Sequence, residues 1–305
     1  MSNLTVSSSP HIRQKTSTQR IMLDVIIALC PAFIASIIIF GYRAAIVTVF
    51  SVVCCVLLEY IWEKLMHKKI TVNDLTAVVT GMLLAFNLPV GIPLWQVAIG
   101  DIVAIIGVKQ LFGGVGKNFA NPAITARIVM FLSFSVSMTT WVFPDAVSSA
   151  TPLGLISSGN VDMLPSLGNM FLGVRGGCLG ETSVLALLIG GIYLLCRKVI
   201  TWHTPVVYIG TVFLFTLALG QQPVYQIMSG GLILGAFFMA TDYVTTPYSA
   251  AGKVVFALGA GILTVIIRVY GSYPEGVSYS ILLMNILTPY INKIRFPKPL
   301  GGAKQ

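Results

Sequence analysis

Ten apolar stretches, parted by short polar loops, take up most of this chain: residues 21–41, 44–62, 75–90, 93–112, 121–137, 184–196, 205–220, 225–240, 252–270 and 277–292. A helix needs ~20 apolar residues to span a bilayer, and several of these runs fall short of that. The chain is 56% hydrophobic and 10% charged, against roughly 25% charged for a soluble domain. The reading is an all-α, polytopic membrane protein. The first twenty residues are polar and lack the apolar core of a signal peptide, so no cleaved leader is expected.

Charge placement orients the runs. Of the 19 Lys and Arg, fifteen fall on one side of a ten-span arrangement. Only Arg43, Arg175 and Arg268 fall on the other, and Arg127 lies inside the fifth run. Basic loops stay cytoplasmic, so both termini are expected inside a prokaryotic cytoplasmic membrane. The net charge of +9 is then a topology signal, and no nucleic-acid partner is expected. The expected organisation is a cytoplasmic segment 1–20, a first five-helix unit 21–137, an external loop 138–183, a second unit 184–292 and a cytoplasmic tail 293–305.

The external loop is rich in Ser, Gly and Pro and ends in GCLGETSVLALLIGG, Gly177 to Gly191. A Gly-punctuated turn brings Glu181 and Thr182 to the start of an apolar helix. Free N–H groups and the helix dipole favour a phosphate there, and an exposed Thr182 hydroxyl would suit one. The alternative is that Thr182 or Ser183 is a helix N-cap.

Other chemistries find little support. His11, His67 and His203 all fall in loops, whereas a membrane b-type haem takes its axial ligand from inside the bundle. Cys30, Cys54, Cys55, Cys178 and Cys196 form no C-x-x-C pair, so this chain alone offers no iron–sulfur ligand set, and they read as small packing residues. No metal site is expected.

Two runs look interrupted. GMLLAFNLPVGIPLW (81–95) and GAFFMATDYVTTPYS (235–249) each close on a polar residue, Asn87 or Thr241–Asp242, before a proline. They occupy the third and eighth positions. Such a match points to two inverted repeats with discontinuous helices around a central site. The rival reading is two ordinary helix ends. Asp24, Asp101, Asn121, Arg127 and Asp242 lie within or beside apolar runs, where ionisable groups are costly and tend to be functional. Asp101, Asp242 and Asn87 are the ion-pathway candidates. Arg127 either snorkels or meets an anion. GKNFANPAITAR (116–127) sets Asn121 and Pro122 at a helix start.

SPHI (9–12), IMLDVIIALCPA, GGVGKNFANPA, GCLGETSVLALLIGG, FFMATDYVTTP and YPEGVSYSILLMN occur in this order from Ser9 to Asn285. By these motifs the chain resembles the D subunits of Rnf complexes, membrane-bound ferredoxin:NAD+ oxidoreductases that move Na+ or H+. It is more distantly similar to the B subunits of the Na+-translocating NADH:quinone reductases. The resemblance implies FMN held to Thr182 by a phosphoester, placed there by a flavin transferase. The usual acceptor pattern is S/T-G-A-T. Here it reads Leu179, Gly180, Glu181, Thr182, matching at Gly180 and Thr182 only, and Ser183 is the neighbouring hydroxyl. Asn121 and Arg127 are further cofactor candidates. The resemblance also implies ten helices in two inverted five-helix repeats like those of urea and ammonium channels, and a non-covalent riboflavin. Its implied partners are two small membrane subunits sharing an iron–sulfur cluster, an FMN-bearing anchored subunit, ferredoxin- and NAD-handling subunits, and membrane lipid. A solute channel on the same architecture, or a purely structural anchor subunit, are the competing functions.

Overall fold

The computed structural model describes residues 17–141, 151–271 and 275–294, and among these there are helices and no strand. The SPHI motif, His11, residues 142–150, Tyr273 and Pro274 of the last motif, and the tail beyond residue 294 lie outside the described residues.

α1 (Thr18–Phe40) and α2 (Tyr42–Leu65) form a helical hairpin, turned at Gly41 with φ +76°. Together with α10 (Ala250–Tyr270) they are the described helices long and apolar enough to cross a membrane. Their faces are sorted opposite to a soluble protein's. On α2 the buried side is Ala44, Thr48, Ser51, Cys55, Glu59 and Glu63, while Ile46, Val49, Val53, Leu57 and Ile61 face outward. Small and polar groups inside with large aliphatics outside is the pattern of helices solvated by lipid, where packing and interhelical hydrogen bonds replace the hydrophobic drive.

Each remaining apolar run carries helix. α3 is Thr76–Phe86. α4 (Leu94–Ile102) continues through Val103–Gln110 with widened i→i+5 turns. α5 (Pro122–Ser133) is capped by Asn121, whose Oδ1 accepts from the N–H of Ala123 and Ile124. α6 is Val184–Cys196 and α7 His203–Ala218. α8 (Pro223–Met228) stops at Gly230 and Gly231, both in left-handed conformation (φ +65° and +66°), and α9 (Leu232–Leu234) runs on in widened turns to Met239. α11 is Val277–Ile294.

α3 and the 232–239 segment enter from opposite ends of the bundle and both stop inside it. α3 starts beside Lys109, near the end formed by residues 63–76, 109–118, 197–204 and 241–253. The 232–239 segment starts beside Glu181, near the end formed by 41–43, 88–91, 175–183 and 223–231. Their tips meet: Asn87 Nδ2 lies 3.7 Å from Met239 Sδ, and Asn121 Nδ2 lies 3.4 Å from the Met239 carbonyl. The two interrupted runs singled out in the sequence are thus both real breaks, and they face each other.

The long loop does not stay outside the bundle. After short helical turns at Pro152–Ser157 and Leu167–Leu172, residues 177–183 are buried. The Leu179 N–H donates to the Leu88 carbonyl at 3.0 Å and the Gly180 N–H to that of Phe86 at 2.9 Å. The loop therefore pairs, backbone to backbone, with the free end of α3. A carbonyl left open by a broken helix needs a donor, and this loop supplies it. Gly180 is required for the approach, since a Cβ there would sit 2.3 Å from Phe86.

Candidate functional site

The expected exposed hydroxyl is not exposed: Thr182 is only 1% accessible. Docking of the loop on α3 draws it inward. The cap question resolves in favour of Ser183, whose Oγ accepts from the Ala186 N–H at 3.3 Å. Thr182 therefore does not serve as the cap of this helix. Its carbonyl, and that of Glu181, are held by Arg175 at 3.3 and 2.8 Å.

Beneath the loop lies a buried polar cluster. Arg127 does not snorkel. It donates to Asn87 Oδ1 at 2.9 Å, to Ser278 Oγ at 3.0 Å and to Cys178 Sγ at 3.5 Å, and it pairs with Glu275. The C-terminal end of α3, with its negative dipole, points at this guanidinium through Asn87. Cys178 is thus more than apolar packing. Arg175 and Arg268, read from the sequence as outer-loop charges, are buried to within 2% and 5% of full coverage. Both reach Ser229, Arg175 through the hydroxyl at 3.4 Å and Arg268 through the carbonyl at 2.9 Å. Burial pulls the Arg175 guanidinium below its ordinary pKa. Glu181 is 6% accessible, and its Oε2 has no partner.

Asp101 stands apart from this cluster. It is fully buried, and its Oδ1 accepts from Ser51 Oγ at 2.6 Å and Cys55 Sγ at 3.2 Å, while Oδ2 has no partner. The Asp101 and Cys55 contact again departs from the packing role read for the cysteines. Lys109, counted among the fifteen cytoplasmic-side charges and lying at the end of the 93–112 run, is 2% accessible and bonds Glu59 at 2.7 Å and Thr76 Oγ1 at 2.6 Å. Gln110 joins Glu59 to Glu63 at 2.9 and 3.4 Å. This seam was missed, although Ser51, Cys55, Glu59 and Glu63 recur every four residues and so share one helix face.

Asp242 does not mirror Asn87. Its carboxylate turns back into its own loop, accepting from the Val244 N–H at 3.5 Å and Thr245 Oγ1 at 3.0 Å. Asp24 is neither solvated nor a helix cap; Tyr193 and Arg197 bond it at 3.0 and 3.3 Å. The structure therefore links Asn87 to Arg127 directly and to Asn121 through Met239, and it sets Cys178, Gly180 and Glu181 beside Arg127 and the end of α3, with Thr182 and Ser183 next in the chain on the Arg175 side. Asp101 and Asp242 occupy two separate places. A cavity of about 110 Å³ opens near Asp242, lined by Asn118, Asn121, Phe237 and Phe238.

Helices long and apolar enough to cross a membrane, with short helices ending among buried ionisable groups, mark the class as a polytopic membrane protein. The profile of the NQR2, RnfD, RnfE family matches residues 5–301, and the chain belongs to that family. It is 49% identical to the D subunit of the Na(+)-translocating ferredoxin:NAD(+) oxidoreductase complex of Acetobacterium woodii, over 99% of this chain and 96% of that one. It is 45% identical to the D subunit of the proton-translocating ferredoxin:NAD(+) oxidoreductase complex of Clostridium ljungdahlii, over 98% and 97%. It is 35% identical to the D subunit of the ion-translocating oxidoreductase complex of Stutzerimonas stutzeri, over 94% and 93%.

Proposed function

We propose that this chain is the D subunit of an ion-translocating ferredoxin:NAD+ oxidoreductase, and that it carries FMN esterified through phosphate to Thr182. The observation that carries the reading is the GETS loop itself. It is pinned on both sides by Arg175 and α3, and it holds Thr182 at the helix start while Ser183 takes the cap. Bound there, FMN would supply one-electron redox chemistry. Thr182 tethers, Gly180 permits the close approach to Phe86, and the Arg127 cluster fixes the ground beneath.

Ten spans in two inverted five-helix repeats fit the opposed entry of α3 and the 232–239 segment. With the termini cytoplasmic, the loop end is the outer end. The implied partners are the iron–sulfur-sharing membrane subunits, the FMN-bearing anchored subunit, the ferredoxin- and NAD-handling subunits, a flavin transferase and lipid. A non-covalent riboflavin belongs to the same reading, although the cavity of about 110 Å³ beside Phe237 and Phe238 is smaller than the roughly 300–1,000 Å³ of a ligand pocket and does not by itself hold one. Arg127 and its partners fill the meeting point of the breaks, which favours an electron-carrying subunit over a solute channel. The relatives named for Na+ and for protons are similarly close, at 49% and 45% identity, so sequence likeness alone does not choose the ion. Asp101, whose Oδ2 has no partner among the described residues, and Asp242, which lines the cavity, are the carboxylates proposed to take part.

The test is the covalent flavin. Thr182→Ala, expressed with a flavin transferase, is expected to lose the fluorescent band on a denaturing gel, and Ser183→Ala to keep it. The opposite pattern would move the attachment to Ser183, and a band retained by both variants would refute attachment at this turn.

A further inference from the structure

Three guanidinium groups and two carboxylates meet under the GETS loop. Arg127 is paired with Glu275. Arg175 and Arg268 have no carboxylate within 4 Å among the described residues. Arg175 is satisfied by the carbonyls of Glu181 and Thr182 and by Ser229, Arg268 by the carbonyls of Gln226 and Ser229. Carbonyl dipoles satisfy donors without cancelling charge, and a buried charge without a counter-ion is costly. The Arg268 Nε–H has no partner among the described residues. Taken with Glu181, whose Oε2 is equally unpartnered, the cluster holds, among the described residues, one more positive charge than negative.

A metal ion would worsen this excess. Ligand atoms of Cys178, Glu181 and Glu275 lie within 4.8 Å of one another, but Arg127 donates to Cys178 and Glu275 and occupies that ground. What the cluster lacks is a monoanion. The Arg175 Nε lies 3.3 Å from the carbonyl of Thr182, the attachment residue of the reading above. A phosphate diester carries one negative charge at neutral pH.

We infer that Arg175, backed by Arg268, is the counter-charge for a phosphodiester on Thr182, so that this end of the bundle reaches neutrality only when Thr182 is esterified. The inference rests on the flavin reading above. Arg175 is on this account a positioning residue, acting on the tether and not on the isoalloxazine.

A stability cycle tests it. The full-length chain, Thr182→Ala, Arg175→Gln and the double variant are co-expressed with the flavin transferase and purified in detergent. Intact mass gives the covalent flavin per chain, and thermal unfolding gives Tm. Each single variant leaves one charge uncompensated and is expected to lower Tm. The double variant removes both charges and is expected to recover at least half of the drop. Losses that simply add would overturn the inference and leave Arg175 a strut for the loop carbonyls. Arg268→Gln, which leaves the 181–182 carbonyls held, repeats the cycle should Arg175→Gln fail to fold, and is read by the same rule. A wild-type chain bearing full covalent flavin that loses stability on delipidation, and regains it with phosphatidylglycerol vesicles, would assign the anion to a lipid phosphate and overturn the proposal. Thr182→Ala protein that still shows the flavin mass would instead refute the attachment site, a failure the mass reports separately from Tm.

Discussion

Asp101 is held by Ser51 and Cys55 through one oxygen, while the other has no partner. Asparagine keeps the shape and the accepting oxygen and removes the charge. Asp101→Asn is therefore expected to assemble and to carry normal covalent flavin, yet to lower ion-coupled electron transfer in vesicles. Unaltered turnover and an unaltered ion gradient would make the carboxylate structural. Lys109 gives a contrasting case. Among the described residues it is the cation bonded to the fully buried Glu59, and removing one partner of such a pair costs about 3–5 kcal/mol. Lys109→Met is expected to lower stability on that scale, read from chemical or thermal unfolding of the purified chain. Glu59→Gln in the same background is expected to restore much of it. Asp101 was legible in the sequence because a carboxylate mid-run stands out. Lys109 was not, because it sits at a run's edge, where a loop position and a buried one look the same in one dimension. Arg268, near the end of the 252–270 run, was misread for the same reason, and Arg175 because the loop that carries it docks into the bundle.

At the scale of elements, the breaks at Asn87 and near Asp242 were legible from polar residue and proline spacing, and both exist. Their meeting through Met239 was not, since contact between residues 152 positions apart leaves no local pattern in one sequence. Nor was the docking of the 177–183 loop on α3, which depends on backbone groups that every residue possesses. The glycines gave the available signal. A methyl group at Gly180 would collide with Phe86, and overpacking of this kind costs about 1–3 kcal/mol. Gly180→Ala is expected to displace the loop, reducing covalent flavin per chain more than it reduces the amount of folded protein. Equal losses of both would show that the approach matters only for folding.

For the whole molecule, the ten apolar runs foretold where helices form, down to α6 at 184–196. Composition could not foretell which faces turn inward: on α2 small and polar residues are buried while large aliphatics face the surroundings, whereas α3 buries Leu83, Leu84 and Phe86. The proposed sidedness is open to direct labelling. Ser158 is exposed at the end of a short helical turn. A cysteine placed there is expected to react with an impermeant maleimide from outside intact cells, and reaction only after the cytoplasmic face is opened would reverse the orientation.

The burial of Thr182 also bears on chronology. A hydroxyl on a residue 1% accessible is out of reach of a modifying enzyme once the loop has paired with α3. On the flavin reading, the transferase must act while residues 177–183 are still undocked, and the strap closes afterwards over its own product. Maturation then has an order, with esterification first and closure second. A chain that closes early would remain permanently unmodified, however much transferase is present.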